Sequence, residues 1–214
     1  MPYSTFSVPP LQANCTIIHD SAVAAVVDPG LAADKVINEL KQSNLKLMYI
    51  IISHAHFDHV GDLIPLKRAF PEARIVLGNS DADLYKKVHK QPMEFGMPLP
   101  VSAQPEPDVL MNNGDTLSLG DLTIKALEAP GHSPGSICLY IEKDNVLIAG
   151  DVLFQGSCGR SDLWQGNGAV LKESIRNLLF HSDLPVSTVV VAGHGPNTTV
   201  GAEQKSFPLY SRMI

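Results

Sequence analysis

The sequence is poor in cysteine, in aromatic residues and in charge, and each shortage narrows what the chain can be. Three cysteines, Cys15, Cys138 and Cys158, are an odd number at wide spacing. That suits a reducing compartment better than a disulfide framework. Charged residues make up only 18%, and 16 Lys and Arg against 22 Asp and Glu leave a formal charge of −6. Such a balance opposes general attraction to phosphate backbones, so nucleic acid is not an expected partner. No run of 18 apolar residues occurs, and the opening MPYSTFSVPP has neither a basic nor an apolar leader region. Membrane spanning and secretion are therefore not expected, and a cytoplasmic protein is. What is present is 44% hydrophobic residues over 214 positions, enough for one packed domain covering 1–214.

Short apolar runs recur along the chain: Ala22–Val27, Leu47–Ile52, Ile75–Leu77, Leu122–Leu127, Ile137–Ile141, Val146–Ala149 and Val189–Ala192. They read as strands buried on both faces. Helical spacing appears between them at Val36, Ile37 and Leu40, at Val60, Leu63 and Ile64, at Leu84, Tyr85 and Val88, and at Leu171, Ile175, Leu178 and Leu179. Helices must then cover sheets. The proline-rich stretch Pro92–Pro107 reads as one long surface loop.

Five of the eight histidines follow these runs directly. His54, His56 and His59 lie with Asp58 in a His-x-His-x-Asp-His segment after one strand. His132 follows a second, Asp151 a third and His194 a fourth. Strand-end loops are where a rigid sheet gathers distant residues, so all seven can meet at one edge. Imidazole with carboxylate is a ligand set for zinc, iron or manganese. Seven donors exceed the needs of one tetrahedral ion with an open position and point to two divalent ions, with Asp151 placed to bridge them. His19, His89 and His181 are isolated and read as ordinary polar residues.

The succession His54-Ala55-His56-Phe57-Asp58-His59, Gly131-His132-Ser133-Pro134-Gly135, Gly150-Asp151 and Gly193-His194, preceded by Asp28-Pro29-Gly30, resembles the ordered motifs of the metallo-β-lactamase superfamily. The resemblance runs from near residue 28 to near 195. It implies an α+β fold, a four-layer αββα sandwich, with His54, His56 and His132 on one metal, Asp58, His59 and His194 on the second, and Asp151 between. Gly150 to Phe154 followed by Gly156 to Asp162 is similar to the glyoxalase II and persulfide dioxygenase branch, where a basic residue in the position of Arg160 helps to hold glutathione. Secreted β-lactamases, flavo-diiron proteins and the nucleases of the superfamily are set apart by their leader, by Glu in the position of His56 and by a large insertion. The segment Gly193-His194-Gly195-Pro196 through Gly201, with 20 residues after His194, is similar to the short bacterial glyoxalase II-like hydrolases, which implies no C-terminal glutathione-binding helical domain.

The expected function is thus hydrolysis of a small thioester such as S-2-hydroxyacylglutathione (S-lactoylglutathione) by a metal-bridging hydroxide, in a monomer or homodimer. Zinc is the first expectation for both ions, with iron or manganese as alternatives. Asp58 and Asp151 would serve catalysis as well as ligation, and Arg160 would bind the anionic conjugate. A thiol with a pKa near 8.5 leaves as thiolate without a general acid, which suits a site whose histidines are all ligands. The alternative is a mononuclear iron persulfide dioxygenase. Ser133 and Ser136 read as turn caps. Cys158 reads as a structural thiol, and Phe154 and Trp164 as core or pocket wall.

Overall fold

The computed structural model describes residues 3–61 and 63–212. Twelve strands form two six-stranded sheets among the described residues. The first holds β1 (Tyr3–Val8), β2 (Ala13–Asp20), β3 (Val23–Val27), β4 (Lys46–Ile52), β5 (Arg74–Gly78) and β6 (Val109–Met111), side by side in chain order. The second holds β7 (Thr116–Leu119), β8 (Leu122–Glu128), β9 (Ile137–Ile141), β10 (Val146–Gly150), β11 (Val189–Ala192) and β12 (Thr198–Thr199), again in order across the sheet. The helices are α1 (Ala33–Gln42), α2 (Phe57–Val60), α3 (Ile64–Ala69), α4 (Ala82–Tyr85), α5 (Gln91–Glu94), α6 (Gly168–Arg176) and α7 (Val200–Tyr210).

Side chains alternate faces along a strand, and that alternation sorts the core into three layers. On β4, Leu47, Ile50 and Ile52 pack with Val36 and Leu40 of α1 and Leu66 of α3. Tyr49 and Ile51 face the other way, into a central layer with Ile124, Ile148 and Val191 of the second sheet. On β10 and β11, Leu147, Ala149 and Val190 pack outward with Leu171 and Ile175 of α6 and Val200 and Phe207 of α7. The result is the expected αββα sandwich. No helix among the described residues is long and apolar enough to cross a membrane.

All seven expected strands are present, but Leu122–Leu127 is not buried on both faces. In β8 Leu122, Ile124 and Ala126 are buried while Thr123 and Lys125 are exposed, because the helices on that side pack over β10 and β11 instead. β1, β2, β6, β7 and β12 lie outside the expected set. β1, β2 and β7 interleave polar residues, and β6 and β12 are only three and two residues long, too short to show a pattern. The expected helix through Val60, Leu63 and Ile64 is two helices, α2 and α3. At Gly61, with φ +61°, the chain presses so closely on Gly30 that a Cβ would lie 1.6 Å from the Gly30 carbonyl oxygen. The Pro92–Pro107 stretch begins inside α5 and is otherwise irregular, with Val101 buried and Phe95, Met97 and Leu99 packed on the core.

Strands β3 to β6 run parallel, as do β10 and β11. The ends of β3, β4, β5, β8, β10 and β11 therefore open on one edge. There the sheets are tied together: Ile137 N–H donates to the Ser53 carbonyl at 2.9 Å, and Asn14 N–H to the Gly193 carbonyl at 2.6 Å.

Candidate metal centre

That edge gathers all seven sequence-read donors. His54 follows β4, His56 begins α2, and Asp58 and His59 lie in its single turn. His132 follows β8, Asp151 follows β10 and His194 follows β11. Donor atoms of His54, His56 and His132 lie within 4.8 Å of one another, as do those of Asp58, His59 and His194. Asp151 stands between the two groups: Oδ1 is 3.3 Å from His59 Nε2, and Oδ2 is 3.5 Å from both His132 Nε2 and His194 Nε2. Asp58 Oδ2 is 3.3 Å from His194 Nε2. Gly193 is required here, since a Cβ would lie 2.1 Å from Asp151 Oδ1.

The outer nitrogens of three of the rings, His54, His59 and His132, are fixed by partners that dictate the tautomer. Ser53 Oγ donates its one proton to Asp28 Oδ2 at 2.6 Å, so toward His54 Nδ1, 3.0 Å away, it accepts. His59 Nδ1 donates to Asp28 Oδ2 at 3.0 Å, and His132 Nδ1 to the Arg160 carbonyl at 2.6 Å. Each of these rings carries its neutral-state proton on Nδ1 and turns an Nε2 lone pair inward. Asp28 lies near His54 and His59, but its carboxylate already accepts from Ser53 N–H, Ser53 Oγ and His59. Its place is that of a carboxylate orienting the His54 and His59 rings from outside.

Buried polar atoms without partners normally cost about 1–3 kcal/mol each, so a cluster of them asks for an explanation. Here His54 Nε2, His56 Nε2 and His132 Nε2 are all buried without a hydrogen bond. These residues fit a divalent metal: lone pairs converge, carboxylates supply charge and the outer nitrogens are fixed. Protonation follows the same division. Burial and the neighbouring histidines push His56 down to about 3, and His54 well below the imidazole range. Burial alone would lower His59, but Asp151, Asp58 and Asp28 outweigh it and raise it well above that range. His194 is raised too, as its bond to Asp58 and the charge of Asp151 overcome burial. Asp151 and Asp58 are held below the carboxylate range, the facing histidines outweighing burial.

Two residues outside the sequence reading brace the ligand loops. Asp81, just beyond β5, is fully buried and accepts from Ala55 N–H at 2.7 Å, Gly135 N–H at 2.6 Å and Ser133 Oγ at 2.7 Å. Gln91 accepts from Phe57 N–H and donates to the Ala55 carbonyl, both at 2.9 Å. Asp81 shared the signal that marked the others, an acidic residue just past an apolar run. Gln91 carried none. Ser136 Oγ bonds Ser133, and Ser133 Oγ donates to Asp81, not to His132.

Over the donors lies a pocket of about 220 Å³ lined by Leu11, Phe57, Phe95, Leu163 and Trp164 together with Arg160 and five of the donors. Arg160 is exposed, and its guanidinium makes a bidentate pair with Asp162 at 2.7 and 2.8 Å. What it gives the centre directly is its backbone carbonyl. Phe154 packs on His194, with ring centroids 5.9 Å apart. Cys158 is half-buried.

Residues 8–194 match the sequence model of the metallo-β-lactamase superfamily. The chain belongs to this superfamily. Among its members, hydroxyacylglutathione hydrolase GloC of Haemophilus influenzae is 34% identical over 92% of either chain. The crystal structure of BLEG-1, a B3 metallo-β-lactamase, is 35% identical with a TM-score of 0.85, covering 95% of this chain and 96% of its own. TTHA1623 in a di-iron-bound form is 32% identical with a TM-score of 0.84, covering 95% and 98%.

Proposed function

We propose that this superfamily member hydrolyses small glutathione-type thioesters, the class that includes S-2-hydroxyacylglutathione, with two divalent ions. His54, His56 and His132 would hold one, Asp58, His59 and His194 the other, and Asp151 both. Zinc is the first choice, and the di-iron form of TTHA1623 keeps iron beside it. When bound, the ions supply a water that is deprotonated near neutral pH and a Lewis acid for the carbonyl oxygen.

The observation that carries the thioester reading is that, among the described residues lining the pocket, none is a spare proton donor. Of the residues lining the pocket, His56, His132, His194, Asp58 and Asp151 are ligands, and Leu11, Phe57, Phe95, Leu163 and Trp164 are apolar. Arg160 keeps its proton, its pair with Asp162 raising its pKa further. An amine leaving group needs a proton from such a donor, and a thiolate does not. Asp58, itself one of the proposed ligands, would also orient the attacking water.

A β-lactam amide is the second reading, favoured by the likeness to BLEG-1. The test is hydrolysis of S-lactoylglutathione and of a chromogenic β-lactam by protein reconstituted separately with zinc, iron and manganese. Asp58→Ala and His59→Ala variants run alongside. Thioester turnover that both variants abolish supports the proposal. A protein that opens only the β-lactam replaces it. One that only consumes oxygen with glutathione persulfide makes it a dioxygenase.

A further inference from the structure

The pocket wall carries information about the substrate that the ligand set does not. Phe57, Phe95 and Trp164 form a three-ring cluster with centroids 5.9, 6.1 and 6.3 Å apart, and Trp164 stands edge-on to the ligand His56 at 5.0 Å. Leu11 and Leu163 complete the wall. The cluster is fixed in place. Trp164 Nε1 donates to Glu94 Oε2 at 2.9 Å, joining the 160–167 segment to α5. That segment is tied to the His132 loop at both ends, through the Arg160 carbonyl at 2.6 Å and through Asn167 N–H to the Gly131 carbonyl at 2.7 Å. Between these ties Trp164 and Gln165 sit at φ +31° and +72°, conformations that ordinary residues hold only when their surroundings impose them.

We infer that this aromatic wall is an acyl pocket, selecting thioesters whose acyl group is compact, branched or aromatic, and apolar. The inference rests on the thioesterase reading above. At about 220 Å³ the pocket is smaller than the ~300–1,000 Å³ of sites that enclose a whole small molecule, so it suits one side of the scissile bond. A glutathione-type carrier is large and charged, whereas the wall is apolar, which assigns the acyl side to it. A 2-hydroxyl on that acyl group meets no polar side chain here apart from the metal ligands and Arg160, whose guanidinium is already paired. Burying a hydroxyl without a partner disfavours it against a methyl group of the same size.

Isobutyryl and lactoyl groups differ by that one exchange, methyl for hydroxyl. With glutathione as the common thiol, kcat/KM for the isobutyryl ester should exceed that for the lactoyl ester by about ten- to a hundredfold. Trp164→Ala should bring the ratio to near one, and Trp164→Phe should retain most of it. A lactoyl ester preferred or equal in the native protein, or a ratio unmoved by Trp164→Ala, overturns the inference. Trp164 is the sole tryptophan of the chain, so its emission reads the pocket without turnover. Isobutyramide should shift that emission in the metal-loaded protein at concentrations where lactamide leaves it unchanged, and equal responses refute the assignment. If no thioester is cleaved, the proposed function falls, and the emission titration still decides whether the wall is an apolar pocket.

Discussion

Replacing Asp81 by alanine should destabilise the fold even with every metal removed. Its carboxylate serves Ala55 N–H, Gly135 N–H and Ser133 Oγ in a fully buried position. Ser133 Oγ keeps Ser136 Oγ at 2.7 Å after the change, so the loss falls on the two backbone donors. Each donor left buried and unpaired costs about 1–3 kcal/mol, which gives roughly 2–6 kcal/mol for the pair. Burial pushes the Asp81 pKa up against the pull of its own donors, so desolvating the carboxylate offsets part of what the bonds contribute. The lower half of the range is therefore expected. Against a typical total of about 5–15 kcal/mol, such a loss is readily measured. Urea unfolding of chelator-treated protein, native against Asp81→Ala, isolates this effect from metal binding. Asp81→Asn, which keeps one acceptor oxygen, should fall between the two. A midpoint shift worth less than about 1 kcal/mol for Asp81→Ala, at unchanged slope, would refute the reasoning.

Other consequences of the same geometry are measurable. Asp28→Asn should weaken metal binding about 10- to 100-fold, as loss of a ligand's orienting partner does, with the His59 group emptying first in a chelator competition. Metal stoichiometry should depend on pH. His59 and His194 have raised pKa values and must release protons to bind, whereas His54 and His56 have lowered ones. Titration near pH 6 should therefore find one tight equivalent, and near pH 8 two, while equal affinities at both would contradict the division. Burial raises Cys158 to about 11, so at pH 8 it should react with a disulfide reagent on the order of a hundredfold more slowly than a free thiol. Cys138 is raised to about 12 by burial. Its contribution to stability is complete below the ordinary thiol pKa and is lost as pH climbs from about 9 toward 12, which unfolding at pH 7 and pH 10.5 will show.

The strands that build the site were legible because they are short, continuous apolar runs, and β4 with its Ile50-Ile51-Ile52 could hardly be anything else. The seven donors were legible for the same reason, each lying just past such a run. Edge strands such as β1, reading Tyr3-Ser4-Thr5-Phe6-Ser7-Val8, draw their structure from a neighbour and leave no pattern of their own. The division of the donors into two groups came from family likeness, since spacing carries no angle between loops. Gln91 was invisible because its role depends on two backbone atoms of a distant loop. Arg160 shows a related limit: its side chain attracts the reader, yet the atom that faces the centre is a carbonyl that any residue would supply.

Each group of donors is assembled from both halves of the chain. His54 and His56 come from the first sheet and His132 from the second, and Asp58 and His59 likewise need His194. Neither half alone can hold an ion in the way the whole does. A nascent or partly unfolded chain, with one sheet formed and the other still loose, presents three imidazoles and Asp58 on one side or two imidazoles and Asp151 on the other, and neither group of donors is whole. With the proposed ligand set, capture of metal would be a late event that certifies completed assembly, and an ion held there would act as a rivet across the seam.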